Sequence, residues 1–583
     1  MCPRVVHPNL REGFLEARAY QLEGVAESLQ SSTLLVYPTA GGKTAVAVMT
    51  IAETLQKSEG TIVIIAPTVG LVDQHQRTIS EWLTSNFESV SLTGSTPSGK
   101  RERVWKVSKI VVTTPQIYRN DVLSGLVVPS DISLLVLDEA HHAVGNHAMA
   151  QSADLHIENG GERILAMTAS PGFSRDHVRS ICSRLSIDRI HLRSSNDPMV
   201  KGYLSDLDII EIRVDVPNEL LELAAPLRGW QRSIVDVERR LGRYVHEGSI
   251  GYAGLSSAME RAQAAIRRGD GTGYASVSRI ALAMTLNHLI NHLLSQGVAA
   301  AREFLRRKTV DSDSKKKSSR DLLKDRRIRS LIEKLDSMGE VHSKIGSVRR
   351  LVAERLRRNR EGKIIIFATY RDTVSAIHQA LSDISGANPV RFVGQANRGE
   401  SGLSSGEQIE TINSFREGRY NILVATSVGE EGLDIPSADL VIFYEPVGSE
   451  TRTIQRRGRT GRRKQGDVVV LIAEGTRDEG AVSASQRREL AMKRSIHSAR
   501  RGLVSGPIDY SLLDSFGVDM GAEFVKAEFF ISEEKRRHAA VLLEEEDPSR
   551  AVDDIGEEPS SSPLADPSSF RPRGQFGLED FKI

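Results

Sequence analysis

The stretch LLVYPTAGGKTAVAVMTIAETL, Leu34 to Leu55, decides the fold of the first part of the chain. An apolar run, Leu34 to Tyr37, meets the turn Pro38-Thr39-Ala40-Gly41-Gly42-Lys43-Thr44, and a helix-like stretch follows from Ala45. A strand that becomes a helix through glycines is the context of a phosphate loop. Gly41 and Gly42 let the backbone fold tightly around phosphate oxygens, and the helix N-terminus favours negative charge there. Lys43 can reach the β and γ phosphates of a nucleotide, and Thr44 can hold Mg²⁺. The strict pattern has glycine where Tyr37 stands, so the string by itself also fits a structural turn.

LDEAH, Leu137 to His141, narrows the choice. Ile132 to Leu137 reads as a buried parallel strand that delivers Asp138 and Glu139 to its carboxyl end, where ligands gather in open α/β sheets. Asp138 would hold the metal through water, and Glu139 would orient and deprotonate an attacking water. The bland alternative is a strand followed by a helix-capping acid. Far downstream, QRRGRTGR at Gln455 to Arg462 packs Arg456, Arg457, Arg459, Arg462 and Arg463 too densely for a solvated helix face. Such a cluster wants anions. Arg459 and Arg462 are candidate fingers for a phosphoryl group in transit, whereas Arg456 and Arg457 suit a basic surface that binds nucleic acid. With MTAS at Met167 to Ser170, these strings imply an ATP-driven nucleic-acid motor.

Strand and helix signals extend the pattern. TLLVY, TIVIIAP, KIVVTTP, SLLVLDE and RILAMTAS alternate with amphipathic stretches, which predicts a parallel sheet with helices on both faces. KIIIFATY, PVRFVG, YNILVATS, DLVIFYEP and DVVVLIAEG predict a second such sheet. The chemistry divides between the two, so a complete site needs their interface and ties nucleotide state to domain closure. Between them, long helical patterns predict an all-helical insertion. The run DSDSKKKSSRDLLKDRR reads as a loop, with phosphate contact by Lys315 to Lys317 as the alternative. The expected organisation is a first ATP-binding domain over 1–205, a helical insertion over 206–344, a second sheet domain over 345–505, a helical extension over 506–542 and a disordered acidic tail over 543–583.

Bulk composition agrees. The chain has 583 residues, long enough for several cores, and 77 Lys and Arg nearly balance 76 Asp and Glu, so charge distribution rather than net charge must identify a partner. Cys2 and Cys182 alone exclude a disulfide framework, a cysteine zinc ribbon or a four-cysteine cluster within the chain. No apolar run approaches the ~20 residues needed to span a bilayer. A cytoplasmic, nucleoid-associated protein with no membrane partner is expected.

The strings between the motifs carry a resemblance. LEARAYQ at Leu15 to Gln21, DEAHHAVGNHA at Asp138 to Ala148, FATYRDT at Phe367 to Thr373 and the long segment from Phe415 to Glu479 resemble the archaeal Hef and Fanconi anaemia group M branch of superfamily 2 helicases. The resemblance implies an α/β fold with two RecA-like domains flanking a thumb-like helical insertion. It also implies ATP and Mg²⁺ as cofactors and remodelling of branched DNA, such as stalled forks and four-way junctions. Arg18 and Gln21 then correspond to the adenine-reading element, Thr168 and Ser170 to the motif that couples the ATP site to the nucleic-acid track, Gly432 and Asp434 to positions near the nucleotide, and Gln455, Arg459 and Arg462 to the last motif. Pro67, Thr68, Thr114, Pro115, Thr369, Thr426 and Ser427, at strand ends, are candidate phosphate contacts along the track. Each is equally able to serve as an ordinary cap or turn residue.

Departures are visible. Ala40 stands in place of a glycine, and His142 and His147 stand where the family tends to carry Arg and Tyr. Hef's nuclease signature is absent: Glu238-Arg239-Arg240 comes nearest but reads as a helix face, so cutting would fall to a separate XPF-type nuclease. Gln575, Leu578 and Phe581 fit Q-x-x-L-x-x-F, which resembles a peptide that binds the replication sliding clamp, and a disordered tether would raise its effective concentration. Two rivals stay open: an RNA-directed superfamily 2 motor, and a junction-binding scaffold with incidental ATPase.

Overall fold

The computed structural model describes residues 2–38, 41–172, 174–194, 197–201, 203, 209–313, 322–394, 403–426, 438–446, 467–503, 506–521 and 523–545. Among them, a seven-stranded sheet runs in the order Ser89–Leu92, Ile110–Thr113, Thr61–Ile65, Ile132–Asp138, Ile164–Thr168, Thr33–Val36, Arg189–Leu192. Its pairings are all parallel. The inner strands are apolar and covered by helices on both faces, which is what continuous Val/Ile/Leu runs predict. The five strands expected from the sequence are present. The outer two, Ser89–Leu92 and Arg189–Leu192, carry polar residues because an edge strand needs less apolar surface.

The second sheet runs Pro389–Phe392, Ile422–Thr426, Ile364–Ala368, Leu440–Phe443, Asp467–Ala473, Ile209–Val214. Ile209–Val214 lies inside the span expected to be helical, yet it pairs in parallel with Asp467–Ala473. Its alternating I-I-E-I-R-V pattern is that of a half-exposed edge, with Ile209 and Ile210 open to solvent. The helices of the insertion begin at Asn218. They comprise Asn218–Arg240, Tyr252–Arg267, Thr272–Asn291, Val298–Asp313 and Arg326–Ser337, around a core that includes Leu220, Leu227, Leu286, Leu289 and Leu331.

The chain then returns to the first sheet. Helix Arg477–Arg500 starts beside the second sheet and ends with Ile496 and Ala499 in one core with Ile181, Cys182 and Ile190. Residues 506–526, expected to be helical, instead form a 3₁₀ turn, Tyr510–Leu513, and two short strands. One of these, Gly517–Asp519, pairs antiparallel with Arg4–Val6 near the N-terminus. At Gly517 the Phe524 ring lies over the position a Cβ would take, so a side chain there would have to displace that ring. Phe516, Val518 and Phe530 join the core beneath helix Lys43–Lys57. Residues 533–545 are helical, with Arg537 between Glu533 at 2.9 Å and Glu534 at 3.2 Å. Among the described residues no helix is long and apolar enough to cross a membrane.

Candidate active site

The phosphate-loop candidate is held from behind by an aromatic strut. Strand Thr33–Val36 leads through buried Tyr37 and Pro38 to Gly41 and Gly42, and helix Lys43–Lys57 begins there. The Tyr37 hydroxyl donates to the Tyr20 carbonyl at 3.0 Å, and the Tyr20 hydroxyl donates to the Gly41 carbonyl at 2.9 Å. Gln21 Nε2 reaches the same carbonyl at 3.2 Å. The residue that breaks the strict glycine pattern therefore fastens the helix Ala19–Gln30 to the loop. Gly42 adopts φ 83°, a left-handed conformation that favours glycine, and a Cβ there would displace the Gln21 amide. No side chain caps the first turn of helix Lys43–Lys57 among the described residues, which leaves its N–H groups for an anion. Lys43 Nζ rests 3.3 Å from the Tyr37 carbonyl, and Thr44 is half-buried in the same turn. Arg18 is stacked over Tyr203 at 4.6 Å and paired with Glu16 at 3.0 Å. Thr39 and Ala40 lie outside the described residues.

Asp138 ends the strand Ile132–Asp138. Its Oδ2 lies 2.8 Å from His75 Nε2, and its Oδ1 accepts the Glu139 amide at 3.0 Å. Burial pushes the Asp138 carboxyl up. The His75 hydrogen bond and charge, the Lys43 charge and the Glu139 amide outweigh that and hold it below the usual carboxylate range. Glu139 takes φ 52° and ψ 48°, a left-handed conformation that costs a non-glycine residue on the order of 1–3 kcal/mol and clusters at functional sites. A buried anion next to a strained, partly exposed acid suits a metal-binding and water-activating pair better than a plain helix cap.

The third string links these groups. In sheet register, Met167 lies beside Asp138 and Thr168 beside Val36, so the strand Ile164–Thr168 is flanked by the acid pair and the phosphate loop. Thr168 Oγ1 is buried, accepts the Ser170 amide at 3.1 Å and lies 3.1 Å from His141 Nδ1. His141 Nδ1 is also 3.4 Å from Glu139 Oε2. Lys43, Asp138, Glu139, Thr168 and Ser170 thus share one end of three adjacent strands. Four participants escaped the sequence reading: Tyr20, Tyr37 as a strut, His75 and His141. The one available signal was His75, a polar residue on the apolar face of helix Val69–Trp82. His142 lies in a ring stack, 4.3 Å from His141 and 5.0 Å from His147.

The candidate track residues fall on neighbouring strand ends in both sheets. Strands Thr61–Ile65 and Ile110–Thr113 are adjacent and precede Pro67, Thr68, Thr114 and Pro115; strands Ile364–Ala368 and Ile422–Thr426 are adjacent and lead to Thr369 and Thr426. Thr68 Oγ1 caps helix Val69–Trp82 by accepting the Leu71 amide at 3.3 Å. Pro115 and helix Pro115–Leu123 are anchored by Ser152 Oγ donating to the Pro115 carbonyl at 2.9 Å. The Thr369 amide donates to Glu445 Oε1 at 2.5 Å. Thr426 Oγ1 is buried and finds no hydrogen-bond partner among the described residues.

Ser427, Gly432, Asp434, Gln455, Arg456, Arg457, Arg459, Arg462, Arg463, Lys315 to Lys317, and the tail with Gln575, Leu578 and Phe581 lie outside the described residues. Glu238, of the nuclease-like tripeptide, is buried against Arg279 at 2.7 Å and Arg243 at 4.0 Å, a structural ion cluster.

The molecule matches known proteins along both sheets. A DEAD/DEAH box helicase profile matches residues 18–177, and a helicase conserved C-terminal domain profile matches residues 343–464. The helicase domain of Pyrococcus furiosus Hef superposes with a TM-score of 0.62 at 33% identity, covering 82% of this chain and 100% of that one. A Methanocaldococcus jannaschii protein, provisionally named an ATP-dependent RNA helicase, is 36% identical across 84% of this chain and 62% of its own length. The Fanconi anemia group M protein of Gallus gallus is 29% identical across 82% of this chain and 26% of its own length. The chain thus spans less than two thirds of the curated relatives it matches.

Proposed function

Because the chain belongs to the Hef and Fanconi anaemia group M branch of the superfamily 2 DEAD/DEAH-box helicases, which are ATP-driven motors, we propose that it moves on or unwinds branched DNA, such as stalled forks and four-way junctions. One observation carries the ATP half of this reading: Lys43, Asp138, Glu139 and Thr168 gather at one end of three neighbouring strands, with Asp138 held anionic. The DNA half draws support from the Hef structure and from the group M relative.

In this reading the uncapped start of helix Lys43–Lys57 and Lys43 bind the β and γ phosphates of ATP, between Pro38, Thr39, Ala40, Gly41 and Gly42. Arg18 and Gln21 meet the base, and Gly432 and Asp434 approach from the second domain. The anionic Asp138 and the Thr44 hydroxyl form a hard oxygen donor set that fits Mg²⁺, which supplies charge neutralisation between the phosphates when bound. Glu139 takes the proton of the attacking water, oriented by the His141 to Thr168 contacts. Arg459 and Arg462, with Gln455 beside them, stabilise the charge on the transferring group, a contribution on the order of 10³ to 10⁵ in rate for such a finger. The strand-end pairs in the two sheets hold backbone phosphates, so binding is insensitive to base sequence and weakens steeply with salt. The protein would act in the cytoplasm beside the chromosome, with the sliding clamp and a separate nuclease as partners.

A second reading, an RNA-directed motor, draws on the name of the Methanocaldococcus relative. Strand displacement separates the two. ATP-dependent release of a labelled strand from a DNA fork, lost in Lys43→Ala, is the expected result. Release from an RNA duplex in its place favours the second reading.

A further inference from the structure

A buried joint helps to fasten the helical insertion to the second sheet. Helix Thr272–Asn291 passes into a single π-helical turn, His292–Gln296, whose residues are all buried. Such turns are rare and recur at functional sites. The turn closes at Gly297, φ 109°, where the Glu340 carboxylate occupies the space of a Cβ and accepts the Val298 and Ala299 amides at 3.1 and 2.9 Å. Three successive carbonyls are then taken by the start of helix Ser343–Arg358, with its capping His342, and by Tyr444 after strand Leu440–Phe443. Leu294 O accepts His342 Nε2 at 2.9 Å, Ser295 O accepts Lys344 Nζ at 3.1 Å, and Gln296 O accepts the Tyr444 hydroxyl at 3.2 Å. Lys344 also meets buried Asp478 at 2.6 Å.

The Gln296 side chain continues the line. Its Nε2 donates to Glu445 Oε2, and its Oε1 accepts the Thr373 hydroxyl at 3.1 Å. The other Glu445 oxygen accepts the Thr369 amide at 2.5 Å, and Arg477 lies 3.4 Å from Oε2. Gln296 and Glu445 are 2% and 4% exposed, so this is a dry contact in which an unmatched charge is costly. One amide and one carboxylate therefore connect the π turn of the insertion to a strand end that carries a candidate phosphate contact.

We propose that Gln296 and Glu445 are positioning residues that transmit the placement of the helical insertion to the Thr369 end of the track, and so set how strongly DNA stimulates ATP hydrolysis. This rests on the DNA-motor reading above. Among the described residues, neither Gln296 nor Glu445 has a hydrogen bond or ion pair to Lys43, Asp138 or Glu139, so basal hydrolysis is expected to be unchanged.

The test uses the full chain in four forms: wild type, Gln296→Glu, Glu445→Gln, and the double swap Gln296→Glu with Glu445→Gln. Basal ATPase, fork concentration for half-maximal stimulation, maximal stimulation and thermal midpoint are measured for each. Gln296→Glu opposes two buried carboxylates and should lower the stimulation efficiency roughly 3- to 30-fold, the range by which coupling residues act, with basal ATPase unchanged. The swap restores a donor-to-carboxylate contact and should recover stimulation and thermal midpoint together. Undiminished stimulation in Gln296→Glu overturns the proposal, as does a swap that fails to recover, folded or not. A wild type that no DNA stimulates removes the motor reading itself, and the joint with it. Stimulation by DNA in the wild type and equally in every variant removes the joint alone.

Discussion

The two sheets carry matching pairs of candidate phosphate-contact strand ends but secure them differently. In the first, Thr68 caps its own helix and the Pro115 carbonyl is held by Ser152 of the same domain. In the second, the Thr369 amide is held by Glu445, which is in turn held by Gln296 of the insertion, while the Thr426 hydroxyl is left without a partner among the described residues. The strand ends of the first sheet are held from within their own domain, while Thr369 is held through the insertion. The proposed coupling uses that asymmetry, since the insertion can act on the track only through a contact that it makes.

Silencing the first domain alone gives the largest effect. Glu139→Gln removes the proposed base and should lower ATPase by roughly 10²- to 10⁴-fold, with ATP and DNA binding retained, read by steady-state turnover and nucleotide titration. Loss of DNA binding as well would show that Glu139 also supports the track.

The strut behind the phosphate loop comes next. Tyr37→Phe removes the side-chain hydrogen bond to the Tyr20 carbonyl, a cost on the order of 0.5–1.5 kcal/mol. The expected result is a lower thermal midpoint and a raised KM for ATP, with an unchanged DNA concentration for half-maximal stimulation. A shift in that DNA concentration would mean that the loop and the track are directly linked.

Acid should distinguish the two regions more finely. Burial pushes His156 of the first domain down to about 4, and His292 and His342 at the joint down to about 4 as well. Each is neutral in the fold and charges more readily when unfolded. The stability each contributes is therefore fully present above about 6.5, the ordinary histidine value, and is lost as pH falls toward 4, at about 1.4 kcal/mol per pH unit. With two such histidines at the joint, hydrogen-exchange protection of residues 292–297 should fall before that of residues 150–157 between neutral pH and mildly acid solution. The reverse order would contradict the dependence of the second domain on this joint.

The smallest effect separates the two threonines. Thr68→Val removes a helix cap and should cost roughly 1 kcal/mol of stability. Thr426→Val removes a hydroxyl without a partner among the described residues and should leave the thermal midpoint level or slightly raised, while weakening DNA binding a few-fold. Unchanged DNA affinity in Thr426→Val would remove that hydroxyl from the track.

Most of this organisation was legible in the sequence, for physical reasons. Buried parallel strands must be apolar on both faces, so TIVIIAP or KIIIFATY stands out wherever it occurs, and glycines before Lys43 mark a turn that other residues resist. Edge strands write a fainter signal, and Ile209–Val214 went unseen because its partner lies more than two hundred residues away. The helical extension was misread because Gly517–Asp519 and Phe524–Lys526 become strands only when Arg4–Val6 supplies the partner. Tyr20 and Gln296 look like ordinary helix residues in one dimension, and their importance follows from what tertiary packing places against them.

The measurement that bears most directly on the account is steady-state ATP hydrolysis by the wild type and Lys43→Ala, with single-stranded DNA, duplex DNA, a synthetic fork, a four-way junction and duplex RNA at one fixed salt concentration. The account predicts that the fork or junction stimulates hydrolysis most and that Lys43→Ala abolishes it. Stimulation by RNA alone, or by no nucleic acid at all, would contradict it.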